Sequence, residues 1–503
     1  MADQTFLGID IGTTAVKAIL VDSSFRVIAQ AGGEYPIHTP HRDWAEQDAE
    51  DWWTGLIACV REVTTQAPAP VAALALSTQG DTMVPLDAES KPLGPARTWM
   101  DARAVDEVAE LVELRDPEWW FQRCGMSPQP FHALATVAWL RKNEPDIFAA
   151  TARFAMVEDF LAERLTGAAV LDAPNASRSI MYDVRERRWG AEPLEVVGID
   201  ESRLAETRES GTVVGQLTPA AAEALGLSTD VTVALGAHDQ CAAATGCGAL
   251  APGTVMLSCG TAWAILASAA EPTLEPRQRM QSYCHAFPGG WCVLGAQPGG
   301  ALLRWFRDTL CPELIEDEDA YGKLVREAAE ADPAASPIAC LPHLYGAITP
   351  ARQPQARAHF LGMSNSHSRG AMVRGLLEGV ALEASWNVDV MEEIIGGISE
   401  LRMIGGAAKS PIWAQIVADA TGKRVLLPEV TEAASYGAAL LAAKAIGAIE
   451  RTEEVTDSLP IASVLEPQPE GRARMNRMGE VYKELFFPLA EIWGRLPATS
   501  AGP

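Results

Sequence analysis

The sequence predicts an α/β protein built from two similar domains. The chain has 503 residues, which is more than one ordinary hydrophobic core accommodates. Each half contains a short apolar run, a turn of glycine and threonine, and a second apolar run. These segments are 6–11, Gly12-Thr13-Thr14 and 15–22 in the first half, and 253–257, Ser258-Cys-Gly260-Thr261 and 262–267 in the second. A strand, a Gly-Thr turn and a strand therefore occur once per half, which indicates a repeated plan.

Composition excludes several classes of protein. The net charge is −26, which disfavours DNA, RNA and anionic membranes as partners because their phosphates require Lys and Arg. The nine cysteines form no CxxC pair, which favours a reduced, cytoplasmic protein. The first residues contain no basic segment of the kind that opens a signal peptide. A homodimer is an assembly that the sequence allows.

The first Gly-Thr turn is a candidate phosphate-binding hairpin. Gly12 would let a ligand approach the backbone closely, and the hydroxyls of Thr13 and Thr14 can donate to phosphate oxygens. The alternative is an ordinary hairpin turn, which this short pattern does not exclude.

Two polar clusters follow the next predicted elements. Asp48 is expected to cap a helix, and 71–77 reads as a strand that ends just before Gln79-Gly80-Asp81. The second cluster is Trp99-Met-Asp101-Ala-Arg103. Polar residues directly after strands are typical of the ligand-binding edge of an open α/β sheet. For Asp101 and Arg103, the alternative is a surface ion pair.

Asp239 is the candidate catalytic base. It follows an alternating strand, 231–235, that we expect to end at Gly236, and no Asp, Glu, Lys or Arg occurs from 240 to 270. A carboxylate at a strand end in uncharged surroundings suits a general base. The alternative is an N-cap for the helix that follows. Glycines and prolines interrupt the uncharged run, so it is predicted to form buried turns and strands rather than a membrane span.

A late loop is a candidate nucleotide site. The strand 401–404 runs into Gly405-Gly406-Ala407, and Ser410 precedes a helix with Pro411 at its first position. A strand, a double glycine and a helix N-terminus can hold a nucleotide. The remaining elements are predicted as a mostly helical region over 104–230, a strand over 423–427, and helices over 433–448 and 470–495.

Two Gly-Thr hairpins, one per half, and a late Gly-Gly loop together resemble the actin-like ATPase fold. Five segments narrow the resemblance: Leu7-Gly-Ile-Asp-Ile-Gly-Thr-Thr14, Trp44-Ala-Glu-Gln-Asp48 with Trp52-Trp53, Gly236-Ala-His-Asp-Gln240, Thr349-Pro350 with Pro354-Gln-Ala-Arg357, and Gly405-Gly-Ala-Ala-Lys-Ser-Pro411. In this order they are similar to motifs of the FGGY carbohydrate kinases, over roughly residues 5 to 450.

This resemblance implies a fold, an activity and site residues. The fold would be two actin-like (ribonuclease H-like) domains with a ligand cleft between them, and the activity would be phosphorylation of a small sugar or polyol by ATP with Mg²⁺. The implied domains are 1–245 for sugar, 246–450 for nucleotide, and a helical extension, 451–503. By motif, the implied roles are Asp239 as base, Asp10 for the metal, Gln79, Asp81, Trp99, Asp101 and Gln240 for the substrate, and Gly12, Thr13, Thr14, Gly260, Thr261, Gly405, Gly406, Ala407 and Ser410 for the nucleotide.

The motifs do not indicate one particular substrate. Gln79-Gly80-Asp81 differs from the Gln-Met-His of xylulokinases and the Gln-Arg-Glu of glycerol kinases, and is more similar to erythritol-type polyol kinases. A ketopentose such as xylulose and a sugar alcohol both remain candidates. The alternative function is a sugar-sensing or other actin-like protein without kinase activity. Ala358-His359 stand where the family often has a glycine, just after Pro354-Gln-Ala-Arg357, and His359 is either a ligand contact or a packed or surface side chain.

Overall fold

The computed structural model describes residues 4–332 and 337–496 and divides the chain into two compact units. The first unit holds the chain up to Leu250 together with Ala269–Cys292 and Glu432–Leu459. The second holds Ala251–Ser268, Val293–Thr431 and the chain from Pro460 onward. The domain boundaries predicted at 245 and 450 stay a prediction.

The secondary structure alternates strands and helices along the whole described chain. The strands are β1 Thr5–Ile11, β2 Ala15–Val21, β3 Val27–Glu34, β4 Glu46–Gln47, β5 Val71–Thr78, β6 Met83–Leu86, β7 Ala96–Arg97, β8 Arg153–Met156, β9 Val170–Asp172, β10 Tyr182–Asp183, β11 Arg188–Trp189, β12 Glu206–Arg208, β13 Val213–Gln216, β14 Thr232–His238, β15 Thr254–Cys259, β16 Ala262–Ala269, β17 Gln281–Cys284, β18 Trp291–Pro298, β19 Ala339–Leu341, β20 His359–Leu361, β21 Glu400–Ile404, β22 Arg424–Pro428 and β23 Ile461–Leu465. The helices are α1 Ala49–Thr64, α2 Val105–Leu114, α3 Pro117–Cys124, α4 Ala133–Asn143, α5 Pro145–Ala150, α6 Val157–Thr166, α7 Ala173–Arg178, α8 Ala191–Val197, α9 Pro219–Leu225, α10 Asp239–Cys247, α11 Gly300–Leu310, α12 Ala320–Glu330, α13 Arg369–Ile395, α14 Pro411–Thr421, α15 Ala433–Ala445, α16 Glu453–Thr456 and α17 Pro469–Trp493.

A six-stranded mixed sheet forms the centre of the first unit, in the order β13-β14-β5-β1-β2-β3. β1, β2 and β3 pair antiparallel, whereas β5 is parallel to both β1 and β14. Helix α1 covers one face of this sheet because its apolar stripe, which includes Trp52, Leu56 and Val60, is buried. Asp48 caps α1 by accepting a hydrogen bond from the backbone N–H of Glu50, as the sequence predicted.

The second unit repeats this plan. Six strands of its seven-stranded sheet have the order β18-β16-β15-β21-β22-β23, with β15 antiparallel to β16 and β21 parallel to both β15 and β22. These six strands take the places of β3, β2, β1, β5, β14 and β13, in that order. The repetition predicted from two Gly-Thr turns is confirmed across six strands.

Strand register brings three strand ends of the first unit to one level. Asp10 of β1 pairs with Ser77 of β5, and Ser77 pairs in turn with Ala237 of β14. Because β1, β5 and β14 are parallel, the residues that follow them lie at the same edge of the sheet.

The end of β14 differs from the prediction. We expected the strand to end at Gly236, but a register shift between Ala234 and Ala237 carries it on to His238. The shift lies where the backbones are closest: a Cβ added to Gly236 would lie 1.5 Å from the carbonyl oxygen of Leu76. The glycine therefore marks a bulge inside the strand rather than its end.

Glycines also set the packing of α10 against α15 in the first unit. A Cβ at Gly246 would lie 1.9 Å from the Ala433 carbonyl oxygen, and one at Gly437 would lie 1.9 Å from that of Ala242. Such a close crossing leaves no room for larger side chains at these positions. Helix α10 therefore has a fixed position, and its first residue is Asp239.

Two features of the chain concern membrane-spanning helices and the state of its cysteines. Among the helices of residues 4–332 and 337–496, none combines the length and apolarity needed to cross a bilayer. All nine cysteines are buried and carry free thiols, so they pack as small apolar side chains.

Candidate active site

Asp10 and Asp239 lie at the same edge of the six-stranded sheet of the first unit, where β1, β5 and β14 end. Asp10 is the next-to-last residue of β1, and Asp239 opens α10 directly after β14. The residue at the N-cap position of α10 is His238, and it makes no side-chain capping bond. The interpretation of Asp239 as a helix cap is therefore wrong, because Asp239 is the first residue of the helix rather than the residue before it.

The surroundings of Asp239 favour its protonated form. Burial, and then the nearby charge of Asp10, raise its pKa to about 7, although hydrogen bonds from Gln240 act in the opposite direction. The imidazole Nε2 of His238 lies 3.2 Å from Oδ1 of Asp239, but burial lowers the pKa of His238 well below its usual value, so the ring is neutral. The side chain of Asp239 is still 29% exposed, so it can exchange its proton with solvent.

Asp10 is the second titratable carboxyl group of this edge. Burial raises its pKa to about 6, while a hydrogen bond from the Ser77 hydroxyl (2.6 Å) and the charge of Lys17 act in the opposite direction. The charge of Asp10 favours the protonated form of Asp239, and a cation placed beside these two carboxyl groups would favour their ionised forms.

The carboxylate of Asp10 fits Mg²⁺. Within the described residues there is no cluster of three or more His, Cys, Asp or Glu side chains that could cage a metal. Mg²⁺ does not need one, because it keeps several waters and is usually held by one or two carboxylates plus substrate phosphates. Asp10 would supply such a carboxylate oxygen, which leaves Asp239 free to accept a proton.

A buried pair of carboxyl groups supports the strand that carries Asp239. Oε1 and Oε2 of Glu158 accept hydrogen bonds of 2.9 Å from the backbone N–H groups of Gly236 and Asp172. Burial, and then the neighbouring Asp172, raise the pKa of Glu158 well above its usual value. Asp172 accepts from Asn175, whose amide also donates to the Thr78 hydroxyl at 3.0 Å. The pair therefore links the bulge of β14 to the end of β5, and we refer to Glu158 and Asp172 as the supporting pair.

A hydrogen-bonded chain connects Gln79 to the first Gly-Thr turn. The amide of Gln79 donates to Gln47 (2.8 Å), and the amide of Gln47 donates to the carbonyl oxygen of Thr13 (2.5 Å). The indole of Trp99, which is 42% exposed, donates to the Thr13 hydroxyl at 2.8 Å. The hydroxyl of Tyr35 donates to the Gly12 carbonyl oxygen. Since these carbonyls are bound by the protein, the turn has a fixed orientation toward the sheet edge.

Asp81 lies in a turn beside an arginine. Its φ is +59°, in the left-handed region that non-glycine residues adopt uncommonly and aspartate more readily than most. Its Oδ2 accepts from Nε (3.1 Å) and Nη2 (2.6 Å) of Arg178, the last residue of α7. Burial raises the pKa of Asp81 to about 6, and Arg178 opposes this shift.

Asp81 and Asp239 belong to one cluster of side chains. A Cβ added to Gly80 would lie 2.6 Å from the His238 ring and 3.4 Å from Cγ of Arg178. The charge of Arg178 acts on both carboxyl groups. We refer to Gln79, Asp81, Arg178, His238 and Asp239 as the Arg178 cluster.

Asp101 and His359 are engaged by protein groups outside the Arg178 cluster. Asp101 is 3% exposed and is bound by Arg103 (2.7 Å) and by the backbone N–H of Ala45 (2.8 Å), so it is part of a buried ion pair rather than a surface one. In the second unit, the His359 ring packs edge-on against Trp493 with centroids 5.6 Å apart. The geometry gives His359 a packing role.

The second Gly-Thr turn has a similar arrangement in the second unit. Gly260 and Thr261 join β15 to β16, and their carbonyl oxygens accept from Gly300 (2.9 Å) and Ala301 (3.0 Å) at the start of α11. Nη2 of Arg304 lies 3.4 Å from the Thr261 hydroxyl. Arg304 is thus a cation beside the candidate phosphate turn, and no sequence motif pointed to it.

The late glycine loop lies next to this turn. Gly405 has a φ of +88°, and a Cβ there would lie 3.0 Å from the carbonyl oxygen of Cys259. Residues Gly406–Lys409 form a 3-10 turn, and Ser410 caps α14 by accepting from the Trp413 N–H at 3.3 Å. The predicted strand, double glycine and capped helix are confirmed, and they place the loop beside the end of β15.

Gly406 offers a test of this loop. A Cβ at Gly406 would meet only the Cys259 carbonyl oxygen, at 3.8 Å, so the fold tolerates a side chain there. We expect Gly406→Val to fold normally and to weaken ATP binding, because the new side chain occupies space that a bound nucleotide would need. Calorimetric titration with ATP measures the effect, and sugar binding is the control. An unchanged affinity for ATP would remove this loop from the site.

The sequence motifs did not identify several residues of this site as functional, because no short pattern in the sequence surrounds them. Gln47 lies inside a segment recognised by motif, but Glu158, Asp172 and Arg178 belong to a region predicted only as mostly helical. Arg178 lies 97 residues from Asp81 in the chain, so only the fold brings the two together.

Two family models match almost the whole chain. They describe the N-terminal domain of the FGGY family of carbohydrate kinases, matched at residues 5–246, and its C-terminal domain, matched at residues 255–446.

Individual proteins show the same relationship. The chain is 28% identical to the xylulose kinase of Escherichia coli (strain K12), covering 97% of this chain and 99% of that protein. It is 27% identical to the gluconokinase of Bacillus subtilis (strain 168), covering 90% of each. The crystal structure of the xylulose kinase from Rhodospirillum rubrum superposes with a TM-score of 0.90 at 30% identity, covering 98% of this chain and 100% of that one.

Proposed function

The chain belongs to the FGGY family of carbohydrate kinases and has their two-domain actin-like fold, and from this premise we propose the reaction and its residues. The enzyme transfers the γ-phosphoryl group of ATP, bound with Mg²⁺, to a hydroxyl of a small sugar, such as a ketopentose, or of a sugar alcohol. Asp239 is the general base, and Asp10 holds the metal.

One observation carries this proposal. Asp10 and Asp239 lie at the same sheet edge, and the charge of Asp10 raises the proton affinity of Asp239. A general base works best when its pKa lies near the working pH, and the pKa of about 7 for Asp239 meets this condition. An ordinary surface aspartate has a pKa near 3.9 and is a much weaker base.

The residues of the chain have distinct tasks. Asp239 accepts the proton of the attacking hydroxyl as the new phosphorus–oxygen bond forms. Gln79 and Asp81 position the acceptor molecule, and Trp99 offers it an apolar ring face. The turns at Gly12–Thr14 and Gly260–Thr261 supply N–H and hydroxyl donors for phosphate oxygens. ATP supplies the phosphoryl group, and Mg²⁺ neutralises the charge on its phosphates.

A sensor without catalysis is the alternative function, and it is not favoured. Such a protein has no need for a carboxyl group with a raised pKa beside its ligand, since proton transfer is not part of its task. Here Asp239 has that property and the supporting pair fixes its strand.

Release of ADP tests the proposal. We expect the purified chain with MgATP to release ADP in a coupled assay when ketopentoses, tetritols, pentitols or glycerol are supplied, and to prefer one of them. Omission of the acceptor is the control for background hydrolysis. Absence of ADP release with every acceptor, despite calorimetric binding of a sugar, would favour the sensor. Dimerisation and cytoplasmic location stay predictions.

The dependence of activity on pH follows from Asp239. The carboxylate must be ionised to accept a proton, so kcat/KM for the acceptor should rise with pH through about 7 and level off above it. Because Asp10 and Asp239 interact, the apparent pKa values belong to the pair. The pH profile of kcat/KM measures them, and a profile that is flat across neutral pH would contradict the assignment.

A further inference from the structure

We propose that the enzyme selects neutral sugars or sugar alcohols and rejects sugar acids, and that Arg178 and Asp81 are the residues that impose this choice. The inference rests on the proposed function, because it concerns the acceptor of the same reaction. The question is open because curated relatives of similar identity include both a xylulose kinase and a gluconokinase.

The guanidinium of Arg178 has no free edge for a ligand carboxylate. Arginine binds carboxylates best through two parallel hydrogen bonds from one edge. In Arg178 the edge formed by Nε and Nη2 is bound to Oδ2 of Asp81, and Nη1 donates to Gln281 and to the Met126 sulfur (3.1 Å). A sugar acid would have to displace Asp81, which would leave that buried carboxylate unpaired.

The charge around Arg178 also opposes an anion. Asp81 neutralises the guanidinium, and above about pH 7 the ionised carboxylates of Asp10 and Asp239 add further negative charge at the same sheet edge. Lys17, which acts on Asp10, is bound to Glu432 at 2.8 Å. A negatively charged acceptor would therefore enter a negative field, whereas a neutral one would not.

Unpaired acceptor atoms show what the cluster can bind. Among the described residues, no donor makes a hydrogen bond to the buried atoms Oε1 of Gln79, Oδ1 of Asp81 and Oε1 of Gln240, the residue after Asp239. The ring nitrogen Nε2 of His132 lies 3.9 Å from Oδ1 of Asp81, which is beyond hydrogen-bond distance. Such atoms are costly to bury unless a ligand donates to them, at about 1–3 kcal/mol each. Hydroxyl groups can donate and carboxylates cannot. Several acceptor oxygens in one cluster thus match a polyhydroxylated neutral molecule.

The wild-type enzyme provides the first test. Binding by calorimetry and kcat/KM by ADP release are measured for xylulose, erythritol, xylitol and D-gluconate. We expect gluconate to be at least about 10-fold poorer than the best neutral acceptor in both, the loss that one unpaired buried group produces. Equal or better use of gluconate would overturn the inference.

Asp81→Asn provides the second test. This change removes the negative charge of Asp81 and weakens its hold on Nε and Nη2 of Arg178. We therefore expect the kcat/KM for gluconate, divided by that for the best neutral acceptor, to rise by at least about 10-fold. The matched control is Asp159→Asn, since Asp159 is another buried aspartate of the first unit beside an arginine, Arg153 at 3.4 Å. A ratio that is unchanged in Asp81→Asn would overturn the inference.

Different results would contradict the kinase reaction and the selection of neutral acceptors. Calorimetric binding of neutral sugars that is tighter than binding of gluconate, without ADP release, would reject the kinase reaction while supporting neutral selection. ADP release that is faster with gluconate would support the kinase and reject neutral selection. If Asp81→Asn does not fold, the wild-type comparison still decides the question.

Discussion

Replacement of Asp239 by asparagine is expected to lower kcat by at least two orders of magnitude, since general-base catalysis is typically worth about 10²–10⁴-fold. Asparagine preserves the size of the side chain and can still hydrogen-bond a hydroxyl, but it cannot take up a proton. Acceptor affinity should therefore change much less than kcat. Steady-state kinetics and calorimetry on the same preparation separate the two quantities.

Stability provides the control for this variant. Asp239 does not cap α10, and its ionised form is disfavoured by burial and by Asp10, so the variant should unfold at no lower temperature than the wild type. Asp159→Asn should retain full turnover, because Asp159 lies outside the proposed site. Near-normal kcat in Asp239→Asn would show that another group accepts the proton.

Glu158→Ala is expected to cause the second largest effect, on stability and on kcat together. The change leaves the N–H groups of Gly236 and Asp172 without their acceptor, at about 1–3 kcal/mol each, and opens a cavity under the bulge of β14. Asp239 follows that bulge by only three positions, so its placement should loosen. Chemical denaturation measures the free energy of unfolding, and kinetics measure kcat.

Glu158→Gln is the matched variant. Its oxygen can accept from the Gly236 N–H and its amide can donate to the Asp172 carboxylate, so only the Asp172 N–H loses its acceptor. We expect it to lose less activity and less stability than Glu158→Ala. If Gln and Ala at this position are equally damaging, Glu158 does not act through these hydrogen bonds.

The supporting pair also predicts how stability depends on pH. The pKa of Glu158 is raised well above its usual value in the folded chain, so the folded state holds a proton that the unfolded state releases. This stabilising proton is fully present below the unfolded pKa of about 4.3 and is lost as pH rises toward the folded pKa. Relative to the wild type, Glu158→Gln should therefore gain stability as pH rises above that value. A constant difference at all pH values would contradict the protonated state of Glu158.

The sequence alone determined the repeated plan, the helix starts and the main site segments. The two Gly-Thr turns, the cap at Asp48 and the cap at Ser410 rest on residues close together in the chain. Such features could be predicted because the interactions that define them are local, spanning two or three residues. The motif around Asp239 identified the candidate base by the same kind of short segment.

Only the tertiary structure decided how these segments are supported. Gly236 was interpreted as the end of a strand, yet pairing with β5 carries β14 on to His238. Arg178 and the supporting pair lie far along the chain from the segments that they position, and α15 joins the first unit although it follows the nucleotide loop in sequence. Contacts between distant segments depend on strand pairing and close packing, which leave no periodic or local trace in the sequence.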